Sequence, residues 1–289
     1  MKTHLIAILF ISALISCNST SKNPEAERAY ITYQPRDKEI LEEVLNLYAA
    51  ENATSTSALM LKVGSFFLET PYVASTLESG ETEHLLVNLR ELDCTTFAEN
   101  CLAISRTIQS ATLTFEQFCS ELQLIRYRDG KINGYPSRLH YFCDWIHNNQ
   151  QKNLIEAGSN ELALTPLLKQ IDFMSTHPDS YRQLKDSIAL VELIAQQEQE
   201  ISARKMFYIP ETRIAEVESK LMDGDIAGIT TEIEGIAIQH VVLLIRKEGR
   251  MHLLHASSKA EKVVISDNTL EEYLLNDKSA NGIMLARPL

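Results

Sequence analysis

The chain is short of several things, and each shortage excludes a class of protein. Five cysteines in 289 residues are too few for a small disulfide scaffold. Basic side chains are outnumbered, 27 against 39 acidic, giving a formal net charge of −12. Such a chain gains little from counterion release, which argues against nucleic-acid binding. No C-x-x-C and no H-E-x-x-H occurs, so the common zinc signatures are missing. His252 and His255 have an H-x-x-H spacing, but on a strand residues three apart face opposite sides and cannot share one metal. No internal repeat is present, and beyond residue 16 no apolar run approaches spanning length. What is present is ordinary for a globular domain, 45% hydrophobic and 23% charged, which excludes disordered, collagen-like and coiled-coil classes. At this length a sizeable core forms without covalent staples.

The N-terminus reads as an address. Lys2 precedes an apolar run from Leu5 to Ile15 that is too short to span a bilayer. The run ends in Leu14-Ile15-Ser16-Cys17, similar to the bacterial lipobox, in which the cysteine is lipidated and becomes the mature N-terminus. The expected organisation is a lipoprotein signal peptide over 1–16, a lipidated Cys17 with a flexible tether over 17–35, and one domain over 36–289. An exported bacterial lipoprotein, periplasmic or anchored at the outer membrane, follows from that reading. An ordinary signal peptide that happens to carry a cysteine is the alternative.

Helical spacing of apolar residues appears over 36–52, 56–69, 94–110 and 114–125, with Pro71 ending the second helix and Asp93 placed to cap the third. Residues 126–138, RYRDGKINGYPSR, read as a hairpin or long loop. Residues 140–149 read as helix and 151–200 as mostly helical with turn breaks. From Gly224 the texture changes to short strands at 225–231, 236–246, 251–256 and 262–266, followed by a helix near 269–276 and a strand at 282–287. Helices first and antiparallel strands later predict an α+β fold.

Three residues draw attention to chemistry. Cys94, in Leu-Asp-Cys-Thr-Thr-Phe, opens a helix, where the macrodipole favours a thiolate and backbone N–H groups can hold an oxyanion. His240 lies inside the apolar run Ile236–Ile245, a setting in which a histidine is most often a satisfied core residue. His255 follows on the next strand across a Gly249 turn, close enough in register to meet it. A cysteine nucleophile, an imidazole base and a polar group orienting that base make a Cys-His-X arrangement.

The blocks GSFFLETPYVASTLE, VNLRELDCTTFAEN, RYRDGKINGYPSRLHYFCDWI, GDIAGIT, QHVVLLI and LLHASS occur in this order. Together they resemble the N-acetylmuramoyl-L-alanine amidase-like lipoproteins of Bacteroidetes, within the NlpC-type, papain-like cysteine amidase and peptidase superfamily. The resemblance covers nearly all of the chain from residue 36. It implies a papain-like core with a nucleophile-bearing helix on an antiparallel sheet, and hydrolysis of the N-acetylmuramoyl-L-alanine amide in peptidoglycan or muropeptides. It implies Cys94 as nucleophile, His240 as base, His255 as the orienting residue and Tyr72 as oxyanion support. It places Tyr135, Ser137 and Arg138 along the substrate cleft, with Arg138 either a candidate for a peptide carboxylate or a surface ion pair. No cofactor is implied, and the expected partners are wall fragments and, through the lipid, a membrane, with the chain itself a monomer. A stem-peptide endopeptidase of the same superfamily and a non-catalytic wall-binding lipoprotein are the alternatives. Two departures stand out: Ala237 where relatives often carry Asp, and Val242 where they often carry Gly.

The remaining cysteines read differently. Cys101 is two turns beyond Cys94 on one helix, too far for a disulfide. Cys119 and Cys143 are more often free buried thiols than a pair. Trp145 reads as packing, and His140 as either a cleft residue or a structural hydrogen bond.

Overall fold

The computed structural model describes residues 31–78, 80–158, 162 and 165–289. The expected leader over 1–16, Cys17 and the tether as far as residue 30 lie outside the described residues. The tether expected to reach residue 35 extends too far. Strand β1 (Ile31–Thr32) pairs in parallel with β2 (Leu85–Leu86), and Pro35 opens helix α1 (Pro35–Leu47). The carboxylate of Asp37 anchors this helix. It accepts from the N–H of Gln34 at 2.8 Å, the N–H of Leu89 at 2.9 Å and Nε of Arg90 at 3.0 Å. One fully buried carboxylate thus ties α1 to the segment that leads into Cys94.

Helix α2 (Thr56–Phe66) ends before Pro71, through a turn in which Glu69 takes a positive φ of 70°. Helix α3 (Cys94–Gln109) starts as its sequence dictates: Asp93 Oδ1 accepts from the Thr96 N–H at 2.7 Å, and the Asp93 N–H donates to Thr96 Oγ1 at 2.9 Å. This reciprocal cap satisfies two orphan donors. Phe97, Cys101, Ile104 and Ile108 are fully buried, as are Ala98, Leu102 and Ala103 on the helix's other sides. A helix enclosed all round can be positioned only by packing, which comes from α2, from α4 (Phe115–Arg126) and from the main sheet. Residues 127–141 form a long loop with two short 3-10 turns, leading to α5 (Phe142–Gln151).

The expectation of a mostly helical 151–200 fails in its first half. Among the described residues strands β3 (Ile155–Ala157) and β4 (Thr165–Leu167) occupy it, and the long helix is α6 (Ile188–Ser202). Strand β5 (Met206–Pro210) has no counterpart in the sequence reading. Then come β6 (Ile226–Thr231), β7 (Ile238–Lys247), β8 (Arg250–Ser257), β9 (Lys262–Thr269), α7 (Leu270–Asn276) and β10 (Ala280–Pro288).

Among the described residues the main sheet runs β4-β5-β10-β6-β7-β8-β9, with β3 also on β10, and every pairing is antiparallel. Alternation on β7 and β8 divides the core. Val241, Leu243, Leu254 and Ala256 join the large cluster with α2 and α3. Val242, Leu244, Met251 and Leu253 join a second cluster with Leu270 and Leu274 of α7. Both faces of the central strands are therefore covered, which is why these strands read as continuous apolar runs. Residues 31–289 form one compact unit.

The approach of α2 to the sheet is set at one end by Gly224, in the turn before β6. Its φ is +84°, and a Cβ there would lie 2.1 Å from the carbonyl oxygen of Ser57. Gly224→Ala combines left-handed strain with a backbone clash. It is expected to lower unfolding free energy by roughly 2–4 kcal/mol in denaturant titration.

Candidate active site

The β7–β8 ladder stops at Leu243 opposite Leu254, before it reaches His240 and His255. Beyond that point β7 carries a bulge: His240 faces Ile229 while Ile238 faces Thr230, leaving Gln239 as the extra residue. His240 Nε2 and His255 Nδ1 approach to 2.6 Å, one donating and one accepting, with the rings edge to face at a centroid separation of 4.9 Å. His240 lies opposite Ile229 of the second cluster, and on that side Tyr273 of α7 lies against both rings.

The first turn of α3 brings Cys94 to this end of β7. The N–H groups of Val241 and Thr95 point at its sulfur, and Thr95 Oγ1 is 3.9 Å away. Cys94 and His240 line one cleft of about 340 Å³, which Arg138, Glu78, Glu99 and Arg126 also line. The Cys94 thiol and the His240 ring are not hydrogen-bonded to each other. Tyr72 reaches the site by pairing with Leu92, two residues before Cys94. Burial raises its phenol pKa, and the Cys94 and Asp93 charges add to the rise.

Burial decides the protonation states. It pushes the Cys94 thiol up to about 11, Asp93 adds to the rise, and the N–H groups of Val241 and Thr95 oppose it. It pulls His240 down to about 4 against the attraction of Asp277, and His255 down to about 3 with His240 adding to the fall. At neutral pH the site therefore rests as a thiol beside two neutral imidazoles. The helix-end position alone would favour a resting thiolate, but burial and the Asp93 charge raise the thiol pKa here.

Of the three loop residues expected along the cleft, only Arg138 lines it. Ser137 Oγ is spent inside its own turn, donating to the Gly134 carbonyl at 2.7 Å and accepting from the Asn133 N–H at 2.9 Å. Tyr135 is buried beneath the loop, with the Arg138 guanidinium 5.1 Å from its ring centre. Arg138 is itself engaged: Nη2 meets Glu78 at 2.7 Å and Nε lies 3.3 Å from Glu83. It is a buried ion pair rather than a free carboxylate clamp. His140 lines the cleft but gives Nε2 to the Tyr135 carbonyl at 2.9 Å, and burial holds it well below the usual imidazole range. The Glu99–Arg126 pair, at 2.7 Å and almost fully buried, was not singled out from the sequence. Its sequence signal is a lone acidic residue in this helix, five positions beyond Cys94.

Cys101, Cys119 and Cys143 are free and buried, so no disulfide joins Cys119 to Cys143. Trp145 is fully buried and stacked on Phe142 at 4.7 Å. Val242 fills the second core cluster, away from the cleft, while Ala237 lines the cleft and its carbonyl accepts from the Thr231 N–H. Among the described residues no group of three or more His, Cys, Asp or Glu side chains could hold a metal ion.

A family model described as N-acetylmuramoyl-L-alanine amidase-like matches residues 62–283. A solved N-acetylmuramoyl-L-alanine amidase from Bacteroides uniformis is 36% identical, covering 81% of this chain and 99% of that one, with a TM-score of 0.78. A Bacteroides fragilis protein named as a candidate xylanase is 39% identical, covering 78% of this chain and 99% of that one, with a TM-score of 0.73. A Legionella pneumophila protein at 21% identity and a TM-score of 0.65, covering 92% and 97%, shares the fold. No protein of curated function matches the chain.

The resting protonation states can be read by alkylation. Cys94 is expected to react with iodoacetamide at pH 7 more slowly than a free thiol, with the rate still climbing above pH 9. Asp93→Asn keeps the helix cap, since Asn caps as well as Asp, but removes a charge that raises the thiol pKa. Its alkylation profile is expected to shift down by roughly half to one pH unit. An unmoved profile would contradict the part assigned to Asp93.

Proposed function

The chain belongs to the N-acetylmuramoyl-L-alanine amidase-like family, and on that premise we propose that it is a cell-wall cysteine amidase that cleaves the bond between N-acetylmuramic acid and L-alanine in peptidoglycan or muropeptides. The observation that carries this reading is the 2.6 Å His240–His255 contact at the open end of a ladder, with His240 lining the same cleft as Cys94. A papain-like, NlpC-type core is part of the proposal, supported by a helix that opens on a cysteine and packs against strands carrying an imidazole pair.

The chemistry follows from the neutral resting pair. His240 takes the thiol proton as the sulfur attacks the amide carbonyl, so thiolate and imidazolium exist only with substrate in place. The Cys94 backbone N–H and the Tyr72 hydroxyl stabilise the oxyanion. The imidazolium then protonates the leaving nitrogen, the C–N bond breaks, and a free peptide departs. His240 next deprotonates water, which attacks the thioester and releases the lactyl acid while the proton returns to sulfur. His255 holds the His240 ring in the orientation this exchange requires. The Arg138–Glu78 and Arg126–Glu99 pairs give the cleft a polar lining suited to a hydroxylated, amide-bearing substrate rather than an apolar one.

Attachment to the outer membrane through Cys17 belongs to the same proposal, on the strength of the lipobox-like Leu14-Ile15-Ser16-Cys17. The xylanase designation of the Bacteroides fragilis relative raises glycoside hydrolysis as a second reading. Glu78 and Glu99 do line the cleft, but each is tied to an arginine, and the Cys-His-His set would be idle in that reaction.

Mass spectrometry of products from a defined muropeptide panel separates these reactions. Release of intact stem peptides beginning at L-alanine is expected. Cuts within the peptide, or between sugars, would overturn the assignment. Cys94→Ala is expected to reduce turnover by at least about 10³-fold while the protein stays folded, and retained activity would sink the nucleophile.

A further inference from the structure

Gln239, the extra residue of the β7 bulge, is hydrogen-bonded on both ends of its amide. Its Nε2 donates to Asp277 Oδ2 at 2.9 Å, and its Oε1 accepts from Thr231 Oγ1 at 3.0 Å, with Ser279 Oγ at 2.9 Å. Asp277 caps the C-terminal end of α7, where the Ser279 N–H and hydroxyl reach its other oxygen at 3.0 and 2.6 Å. One turn earlier on α7, Tyr273 sets its ring 5.9 Å from His255 and 6.5 Å from His240, centre to centre. The end of α7 therefore grips the histidine-bearing strand at two consecutive residues, Gln239 through a carboxylate and His240 through a ring.

We infer that Asp277 is a positioning residue for His240: through Gln239 it fixes the bulge that aims the imidazole, and its charge stabilises the imidazolium formed during attack. The inference rests on the amidase reading for its kinetic consequences but not for its geometry. The groups facing His240 are Cys94 from α3, His255 from β8, and Tyr273 and Asp277 from α7, while β6 presents the apolar Ile229. Asp277 is the carboxylate in this set. Burial would raise its pKa, but the hydrogen bonds from Ser279 and Gln239 prevail and keep it ionised below the usual range. Its charge opposes the burial that depresses His240. Apart from the negative charge that the transferred thiol proton leaves in the cleft, Asp277 is the charge that favours protonated His240, so a fixed carboxylate at the strand's far side has an electrostatic as well as a structural part.

Asp277→Asn preserves shape and removes the charge. The two effects of lost charge run in opposite senses. Without the carboxylate the His240 pKa falls, so the acid limb of kcat/KM is expected to move to lower pH by roughly half to one unit. The imidazolium is also less stable, so kcat at neutral pH is expected to fall on the order of tenfold with KM nearly unchanged. Asp277→Glu is expected to recover most of the rate. A purely structural contact predicts the reverse pH behaviour: earlier acid unfolding would drive the limb upward, and that result, or an unmoved limb, overturns the inference. A ring-nitrogen NMR titration of His240 in wild type and Asp277→Asn reads the same shift without substrate. If muropeptides are not cleaved by wild type, the amidase reading fails alone, while an unshifted His240 titration removes the role of Asp277.

Discussion

The early end of the β7–β8 ladder is the constraint on which the rest of the site depends. Two strands buried on both faces normally stay paired along their whole length, because unpaired backbone groups in a core are costly. Here pairing stops at Leu243 and Leu254. The gap is tolerated because other groups occupy the freed positions. The N–H of Val241 meets the Cys94 sulfur, and β8 continues on its far side with β9 through His255, Ala256 and Ser257. The bulge at Gln239 adds one residue on the β6 side and turns the strand end further. A cysteine, two histidines and a cleft thus converge where a regular sheet would have offered only backbone.

That convergence is bought with burial, and burial fixes the electrostatics. A fully solvated cysteine at a helix start would be partly ionised at neutral pH, but the same enclosure that shapes the cleft disfavours every charge within it. Thiol and imidazoles are left neutral together, so on the proposed chemistry charge separation is deferred until substrate arrives. Both arginines lining the cleft are instead held by carboxylates, Arg126 by Glu99 and Arg138 by Glu78 and Glu83. Each buried ion is compensated locally, and breaking one partner away would leave an uncompensated charge. Within the loop over 127–141 Arg138 is tied to Glu78 and Glu83, which explains why it is buried.

The sequence made legible what local physics determines. Asp93 as a cap, the apolar side of α3, and the strands after Gly224 all follow from spacing and turn chemistry acting within a few residues. So does the adjacency of His240 and His255, because a tight turn at Gly249 leaves little choice of register. What was not legible depends on distant partners. Strands β3, β4 and β5 are three to five residues long and exist because β10 and one another supply their hydrogen bonds. Read alone, their apolar residues fit a helix as well as a strand. The same applies to the loop residues. Tyr135, Ser137 and Arg138 share a family block, but whether a side chain faces the cleft, the turn or the core is set by contacts with Glu78, Glu83 and Gly134, far away or within the backbone of the turn itself.

The two departures from the family pattern can be judged on the same footing. Val242 adds bulk on the strand that carries His240, but alternation sends its side chain to the α7 side, where it is part of the packed second cluster. Bulk there firms the strand without narrowing the cleft. Ala237 is different, since it lines the cleft two residues before the bulge and offers no side-chain polar group. An acidic residue at that position would add a hydrogen-bonding group beside the bulge. In this chain Gln239, Thr231, Ser279 and Asp277 form a hydrogen-bonded set at the same strand end, one that closes on itself and reaches across to β10 through Ser279 just before its first residue. A site that lacks one local polar group can keep its geometry when a neighbouring network constrains the same backbone, and the strand end carrying His240 is constrained from α7, β6 and β10 at once.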